Sequence, residues 1–153
     1  MMKIGSRNIK TAISVFICIS IFQLLNRPYP FYACIAAVIC MKNSIQNSFV
    51  VGKNRMIGTT IGGVIGLILS LVFGNYSIVV GLGVVVVIYL CNLCKQSDSI
   101  VIACIVFIAI MTNLKGTPSH IYAVNRVIDT FIGIIVSIIV NVFPKIKDIR
   151  KKA

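Results

Sequence analysis

The sequence predicts an all-α membrane protein with six transmembrane helices, arranged as a 3+3 inverted repeat with both termini in the cytoplasm. Three observations carry this prediction: long apolar blocks, an uneven distribution of Lys and Arg, and a short internal repeat. Of the 153 residues, 58% are hydrophobic and 12% are charged, whereas a soluble domain carries about 25% charged residues. This composition excludes a disordered chain, a disulfide-stabilised miniprotein and most soluble enzymes.

Six apolar blocks follow one another along the chain, at residues 11–25, 31–41, 56–73, 76–94, 100–111 and 127–143. A helix rises about 1.5 Å per residue, so about 20 residues cross the hydrocarbon core of a bilayer. The third, fourth and sixth blocks approach that length, the first is marginal, and the second and fifth are short. We expect the second block to continue as helix into the polar residues 42–48, and the fifth into residues 112–115.

The charged residues predict the orientation in the membrane. The chain has 15 Lys and Arg against three Asp and Glu, for a net charge of +12. With six spans, 12 of the 15 basic residues lie on the side of both termini, and the other side holds Arg27, Lys115 and Arg126. This bias places both termini in the cytoplasm. The basic tail at residues 144–153 is expected to anchor that side beside the lipid headgroups. No continuous basic face remains for nucleic acid, so no nucleic-acid partner is expected.

Two pairs of segments resemble each other at an offset of about 70 residues. Residues 33–41 and 103–111 both begin with Ala-Cys-Ile, and residues 55–62 and 126–133 share R-x-I-[GD]-T-x-I-G. They divide a single transmembrane domain into halves at about 1–74 and 75–143. Three helices per half would invert the second half, an arrangement common in secondary transporters, in which short segments at matched positions mark a midplane pathway. The alternative is an ordinary helix bundle with two tilted or partly buried helices.

The candidate substrate-binding residues lie in the second pair. Arg55 and Arg126 each begin the third predicted helix of a half, so backbone N–H groups and the hydroxyls of Thr59 and Thr130 would complete an anion-binding cup. A guanidinium binds a carboxylate through two parallel hydrogen bonds. Alternatively, the arginines reach the headgroups or form ion pairs, as Arg126 would with Asp129. Asp129 itself is either that counter-ion or a proton-coupling site.

Glycines in the same motif predict close helix packing. Gly58, Gly62 and Gly66 form GxxxGxxxG, a pattern that lets a second helix approach, and Gly133 stands at the matching position of the second copy. The polar segment at 42–48 either lines an aqueous entrance or is a cytoplasmic loop.

No pattern predicts an enzyme, a metal site or a cofactor. His120 has no second histidine, and Cys91 and Cys94 form the only CxxC in the chain. The sequence contains no Walker A loop, HExxH or GxSxG motif.

The chain resembles the membrane part of the bacterial aromatic acid exporter family, within the fusaric-acid-resistance-like (FUSC-like) superfamily. The resemblance rests on S-x-x-x-S-F-x-x-G-x-x-R-x-x-G-T-x-x-G-G at residues 44–63 and on R-V-I-D-T-F-I-G at 126–133, and covers roughly residues 5–145. It implies a multi-pass protein of the bacterial cell membrane that moves small organic anions outward as a homodimer. Members commonly carry a helical cytoplasmic domain after the last span, and we expect this sequence to lack it, since it ends ten residues after Phe143.

The resemblance assigns the motif positions to two matching sets, namely Arg55, Gly58, Thr59 and Gly62 in the first half, and Arg126, Asp129, Thr130 and Gly133 in the second. The favoured hypothesis is an organic-anion exporter or channel with Arg55 as the main anion contact. The alternative is a non-transporting membrane scaffold or subunit that docks a separate cytoplasmic partner. A third hypothesis is the vitamin-binding subunit of a multi-component importer.

Overall fold

The computed structural model describes residues 5–112 and 118–143, and the regular secondary structure within them is helical. Six α-helices follow in chain order: α1 (Ser6–Leu24), α2 (Phe31–Cys40), α3 (Ile45–Phe73), α4 (Ser77–Leu93), α5 (Ile100–Met111) and α6 (Ser119–Val142). A 3-10 turn at Ser97–Ser99 leads directly into α5. The prediction of an all-α fold is therefore confirmed for the described part of the chain.

Three of the helices are long and apolar enough to cross a membrane. They are α1, α3 and α6, with 19, 29 and 24 residues. The other three are apolar but shorter, with 10, 17 and 12 residues in α2, α4 and α5. Large apolar side chains lie on the surface of both groups, such as Phe16 (71% exposed) and Leu82 (65% exposed). A soluble protein rarely exposes so much apolar surface, and these features are those of a membrane protein.

The polar segment after α2 belongs mostly to the next helix, and the expected extension of α2 through residues 42–48 is wrong. α2 ends at Cys40, and α3 begins at Ile45. The Ser44 hydroxyl oxygen accepts a hydrogen bond from the backbone N–H of Asn47 at 3.1 Å, which is how a serine caps the start of a helix. The predicted apolar block begins at residue 56, later than the helix itself, because a membrane helix continues beyond the apolar layer into the polar one.

Two other predicted helix boundaries also differ from the structure. α5 ends at Met111, so Thr112 lies outside the helix and does not extend it as expected, and residues 113–115 lie outside the described part of the chain. α6 begins at Ser119 rather than at the predicted block start, residue 127. The first two turns of α6 contain polar residues, so they do not form part of an apolar block.

The described chain forms two compact units. The first contains α1, α2, α3 as far as Gly52 and α6 from Asp129 onwards. Its apolar core consists of Cys18, Phe22, Ala33, Ala37, Met41, Val136 and Val140. The second unit, Lys53–Ile128, contains the rest of α3, α4, α5 and the start of α6. Its core consists of Val87, Cys91, Ala103, Phe107 and Met111. Each unit takes helices from both predicted halves; a single domain divided near residue 74 stays a prediction.

In the second unit, the glycines of α3 bring its backbone against α5. A Cβ atom on Gly62 would overlap the backbone carbonyl of Ala103, and one on Gly58 would lie 2.6 Å from the carbonyl oxygen of Ser99. Gly66 continues the same face against Ile110, at 3.2 Å from its Cβ. Only a residue without a side chain permits this approach, so these glycines set the distance between α3 and α5.

The first unit contains the corresponding contact. A Cβ atom on Gly133 of α6 would overlap the backbone carbonyl of Ala33 in α2 and lie 2.7 Å from Cβ of Ala36. Ala33 and Ala103 are the two alanines of the Ala-Cys-Ile repeat. Each motif glycine therefore packs against the repeat alanine of the other half of the sequence.

We expect Gly62→Ala to destabilise the protein by about 1–3 kcal/mol, the usual cost of inserting a methyl group into a closely packed contact. Gly133→Ala should behave similarly. The matched control is Gly63→Ala, because a Cβ atom on Gly63 has no heavy atom within 4 Å and alanine favours a helix over glycine by about 1 kcal/mol. Thermal unfolding in detergent, followed by circular dichroism, measures the difference. Equal stability of Gly62→Ala and Gly63→Ala would contradict the packing described here.

Candidate functional site

The five predicted substrate-binding residues all lie inside α3 and α6 and are all buried. Arg55 and Thr59 stand four residues apart on α3 and are 5% and 1% exposed. Arg126 and Thr130, at the same spacing on α6, have the same exposures. Asp129 is 6% exposed. Residues four apart share a helix face, so each arginine lies one turn from the hydroxyl of its threonine.

Neither arginine lies at a helix N-terminus, and the predicted anion-binding cup of free backbone N–H groups is wrong. α3 begins ten residues before Arg55, and α6 begins seven residues before Arg126. At that depth the backbone N–H groups are hydrogen-bonded within the helix, since only the first four are left over at its start. Any ligand here would be bound by side chains.

Both guanidinium groups are enclosed by protein. The Nε and Nη1 atoms of Arg55 and of Arg126 are shielded from solvent. An arginine keeps its proton at any physiological pH, so each buried side chain carries a full positive charge into an apolar helix. Such a charge is costly and marks a functional position by default. The sequence as a whole is rich in cations, with three Asp and Glu against 15 Lys and Arg.

In the second unit, the residue before Arg55 connects α3 to the turn that precedes α5. The backbone carbonyl of Asn54 accepts a hydrogen bond from the Ser99 hydroxyl at 2.8 Å. The Asn54 amide donates to the Asp98 carboxylate at 3.2 Å. These bonds fix the turn of α3 that carries Arg55. The sequence offers a signal for this residue, because Asn125 precedes Arg126 in the same way, and the repeat motif extends by one position to N-R-x-I-[GD]-T.

In the first unit, Asp129 forms an ion pair with Arg27. Their Oδ1 and Nη1 atoms are 3.0 Å apart, and the side chains are 8% and 33% exposed. Arg27 lies in the loop before α2, and 102 residues separate the two partners, so no local pattern predicts the pair. Arg27 and Asp98 occupy equivalent places about 70 residues apart, each just before a short helix. Both loops thus make a polar contact with the motif of the opposite half.

Two further buried polar residues, Lys10 and Asn141, were missed by the sequence patterns, and they meet Ser48 of the polar segment in the first unit. The Lys10 ammonium donates to the backbone carbonyls of Asn141 at 3.0 Å and of Phe143 at 2.7 Å. The Asn141 amide donates to the Ser48 hydroxyl oxygen at 2.9 Å. Lys10 thereby satisfies carbonyl groups at the end of α6, where a cation is favourable.

The arrangement agrees with a known family of membrane proteins. The model for "Aromatic acid exporter family member 1" matches residues 2–143. The chain belongs to the aromatic acid exporter family. No solved structure gives a significant match.

Curated relatives in this family come from bacteria. The chain is 32% identical over 140 residues to the UPF0421 protein YgaE of Bacillus subtilis, covering 92% of this chain and 39% of that protein. It is 28% identical to UPF0421 protein OB2406 of Oceanobacillus iheyensis, covering 97% and 42%. For UPF0421 protein SAUSA300_1870 of Staphylococcus aureus the identity is 26%, with coverage of 92% and 43%. The chain thus spans about two fifths of the length of these relatives.

The ion pair of Arg27 and Asp129 should show energetic coupling in a double-mutant cycle. We expect Arg27→Gln and Asp129→Asn to be coupled by about 0.5–3 kcal/mol, the range for contacting residues. Each single change should destabilise the protein, since each removes one member of a partly buried ion pair. Arg27→Lys retains the charge and should recover part of the loss. Additive effects on thermal unfolding in detergent would contradict the pairing.

Proposed function

We propose that this chain is the membrane part of a bacterial exporter or channel for small organic anions. The observation that carries the proposal is the pair of buried arginines, Arg55 and Arg126, at matching positions of a repeated motif in an aromatic acid exporter family member. The relatives in this family are bacterial, and the bacterial plasma membrane is the proposed location.

The charge balance favours an anion as the transported species. A guanidinium buried in an apolar helix favours a negative charge beside it. A carboxylate that passes the arginines would supply negative charge for as long as it stays, and would receive charge-assisted hydrogen bonds. The carboxylate stabilises the arginines only while it is bound, and transport requires that it then leave.

Thr59 and Thr130 complete the chemistry. Their hydroxyls lie one helical turn from the arginines and are 1% exposed. A hydroxyl can donate a hydrogen bond to an anion or accept one from a substrate hydroxyl. The guanidinium plane also stacks on aromatic rings, which suits an aromatic carboxylate, the substrate class in the family's name.

The proposed architecture has six membrane spans, an inverted repeat and both termini in the cytoplasm. The exchanged contacts support the repeat, since Gly62 packs against Ala103 and Gly133 against Ala33. The short helices α2 and α5 carry those alanines, at matched positions where a midplane pathway is expected. Assembly as a homodimer is proposed from the family resemblance.

Flux through purified protein in liposomes tests the function. With benzoate inside and an inside-negative potential, Arg55→Gln should slow efflux about 10- to 100-fold. That range corresponds to the roughly 1.5–3 kcal/mol of a hydrogen bond to a charged group. The matched control is Lys53→Gln, two residues away on α3 with an exposed side chain, which should leave efflux unchanged. Arg126→Gln should resemble Arg55→Gln.

Two outcomes would contradict the proposal. Normal efflux in Arg55→Gln would remove the arginine from the pathway. Absence of flux in folded wild-type protein, for benzoate and for aliphatic carboxylates alike, would favour a scaffold that docks a separate partner.

Reporter fusions test the proposed orientation. Green fluorescent protein fused after Ala153 should fluoresce, because it folds in the cytoplasm. Alkaline phosphatase fused after Pro28, in the loop between α1 and α2, should be active, because that enzyme needs the far side of the membrane. The opposite pattern would reverse the orientation that the 12-to-3 distribution of basic residues predicts.

A further inference from the structure

A cavity of about 470 Å³ opens on the first unit, between the start of α1 and the end of α2. Its polar lining residues are Arg7, Asn8, Thr11 and Lys42, and its apolar lining includes Val38 and Ile39. None of these residues belongs to the R-x-I-[GD]-T-x-I-G motif or to the five proposed anion-binding residues. The volume is in the range of small-molecule sites in proteins.

The cavity is positively charged. Arg7 and Lys42 contribute two cations, and none of the described lining residues is acidic. The Arg7 side chain donates a hydrogen bond to the neutral Asn43 side chain at 3.3 Å. The first turn of α1 contains no acid either, so the positive end of that helix adds to the potential. These charges favour an anion in the cavity.

The backbone of Lys42 is held in place by the surrounding structure. The backbone N–H of Lys42 donates to the Ser48 hydroxyl oxygen at 3.0 Å, and its carbonyl accepts from the Asn141 amide at 3.1 Å. The nearby Lys10 uses its ammonium on the carbonyl groups at the end of α6. Among the described residues, Arg7 and Lys42 are the cations that line the cavity.

The apolar lining faces outwards beside the charged part. Val38 and Ile39, both in α2, are 48% and 37% exposed. A ligand that bound here would need an anionic group next to an apolar body. In the predicted topology the cavity lies on the side of the membrane that carries 12 of the 15 basic residues and is proposed to face the cytoplasm.

We propose that this cavity binds the headgroup of an anionic phospholipid from the cytoplasmic leaflet. Arg7 and Lys42 bind the phosphate oxygens, the Asn8 amide and the Thr11 hydroxyl bind the headgroup hydroxyls, and an acyl chain packs along Val38 and Ile39. A soluble anion would meet the same two cations while they are screened by water and salt. A lipid adds apolar contact and is present at high local concentration.

Native mass spectrometry of the full chain tests the proposal. Wild-type protein is titrated with palmitoyl-oleoyl phosphatidylglycerol and, separately, with the phosphatidylcholine of the same chains. The lipid-bound fraction should be at least fivefold higher with phosphatidylglycerol. The double variant Arg7→Gln/Lys42→Gln should lose this preference. The matched control Lys53→Gln/Lys95→Gln removes two exposed cations outside the cavity and should retain it.

Two further variants keep the test valid if the double variant fails to fold. Val38→Trp fills the cavity without changing its charge and should reduce phosphatidylglycerol binding at least fivefold. Arg7→Lys/Lys42→Arg keeps both charges and should bind within twofold of wild type. Circular dichroism establishes that each variant is folded.

Three results would overturn the proposal. They are equal retention of the two lipids by wild type, an equal loss in both double variants, and displacement of phosphatidylglycerol by millimolar glycerol phosphate. The last result would identify the occupant as a soluble anion. Liposome flux is not a readout here, so failure of the transport proposal leaves this test unaffected.

Discussion

The close approach of helix backbones is the constraint on which the rest of this structure depends. Gly62 and Gly133 each place their helix against an alanine carbonyl of a short helix. In a membrane, helices gain little from burying apolar surface, so packing of this kind must hold them together. The motif arginines lie seven residues before these glycines, two helical turns away, and are buried as the helices pack. A side chain at either glycine would disturb both the fold and the candidate site.

Much of the fold follows from the sequence, but the helix ends do not. Apolar blocks identify the six helices of the described residues because these helices are rich in apolar side chains. They misplace the start of α3 by 11 residues, since the block begins at residue 56 and the helix at Ile45. A cap is the better guide there, because Ser44 bonds the N–H of Asn47. The predicted anion cup was wrong for the same reason, since it depended on a helix end placed too late.

The candidate site shows the same division between local and distant information. The repeat identifies Arg55 and Thr59, and likewise Arg126 and Thr130, because each pair lies in one short segment of the sequence. The partner of Asp129 is Arg27, 102 residues away, and no periodicity connects them. Lys10 is equally hidden, because a lysine near the start of a first span predicts orientation and gives no sign of its bonds to the end of α6.

The exchanged glycine contacts have a consequence for how such a protein could have arisen. Each half of the sequence carries one glycine and one alanine of the repeat, and neither half contains both members of a contact. A three-helix ancestor with one copy of each would have completed the contact only by pairing with a second molecule. Gene duplication and fusion would then have preserved an interface that already existed. By the same reasoning, the two halves should reassemble when they are expressed together from two genes.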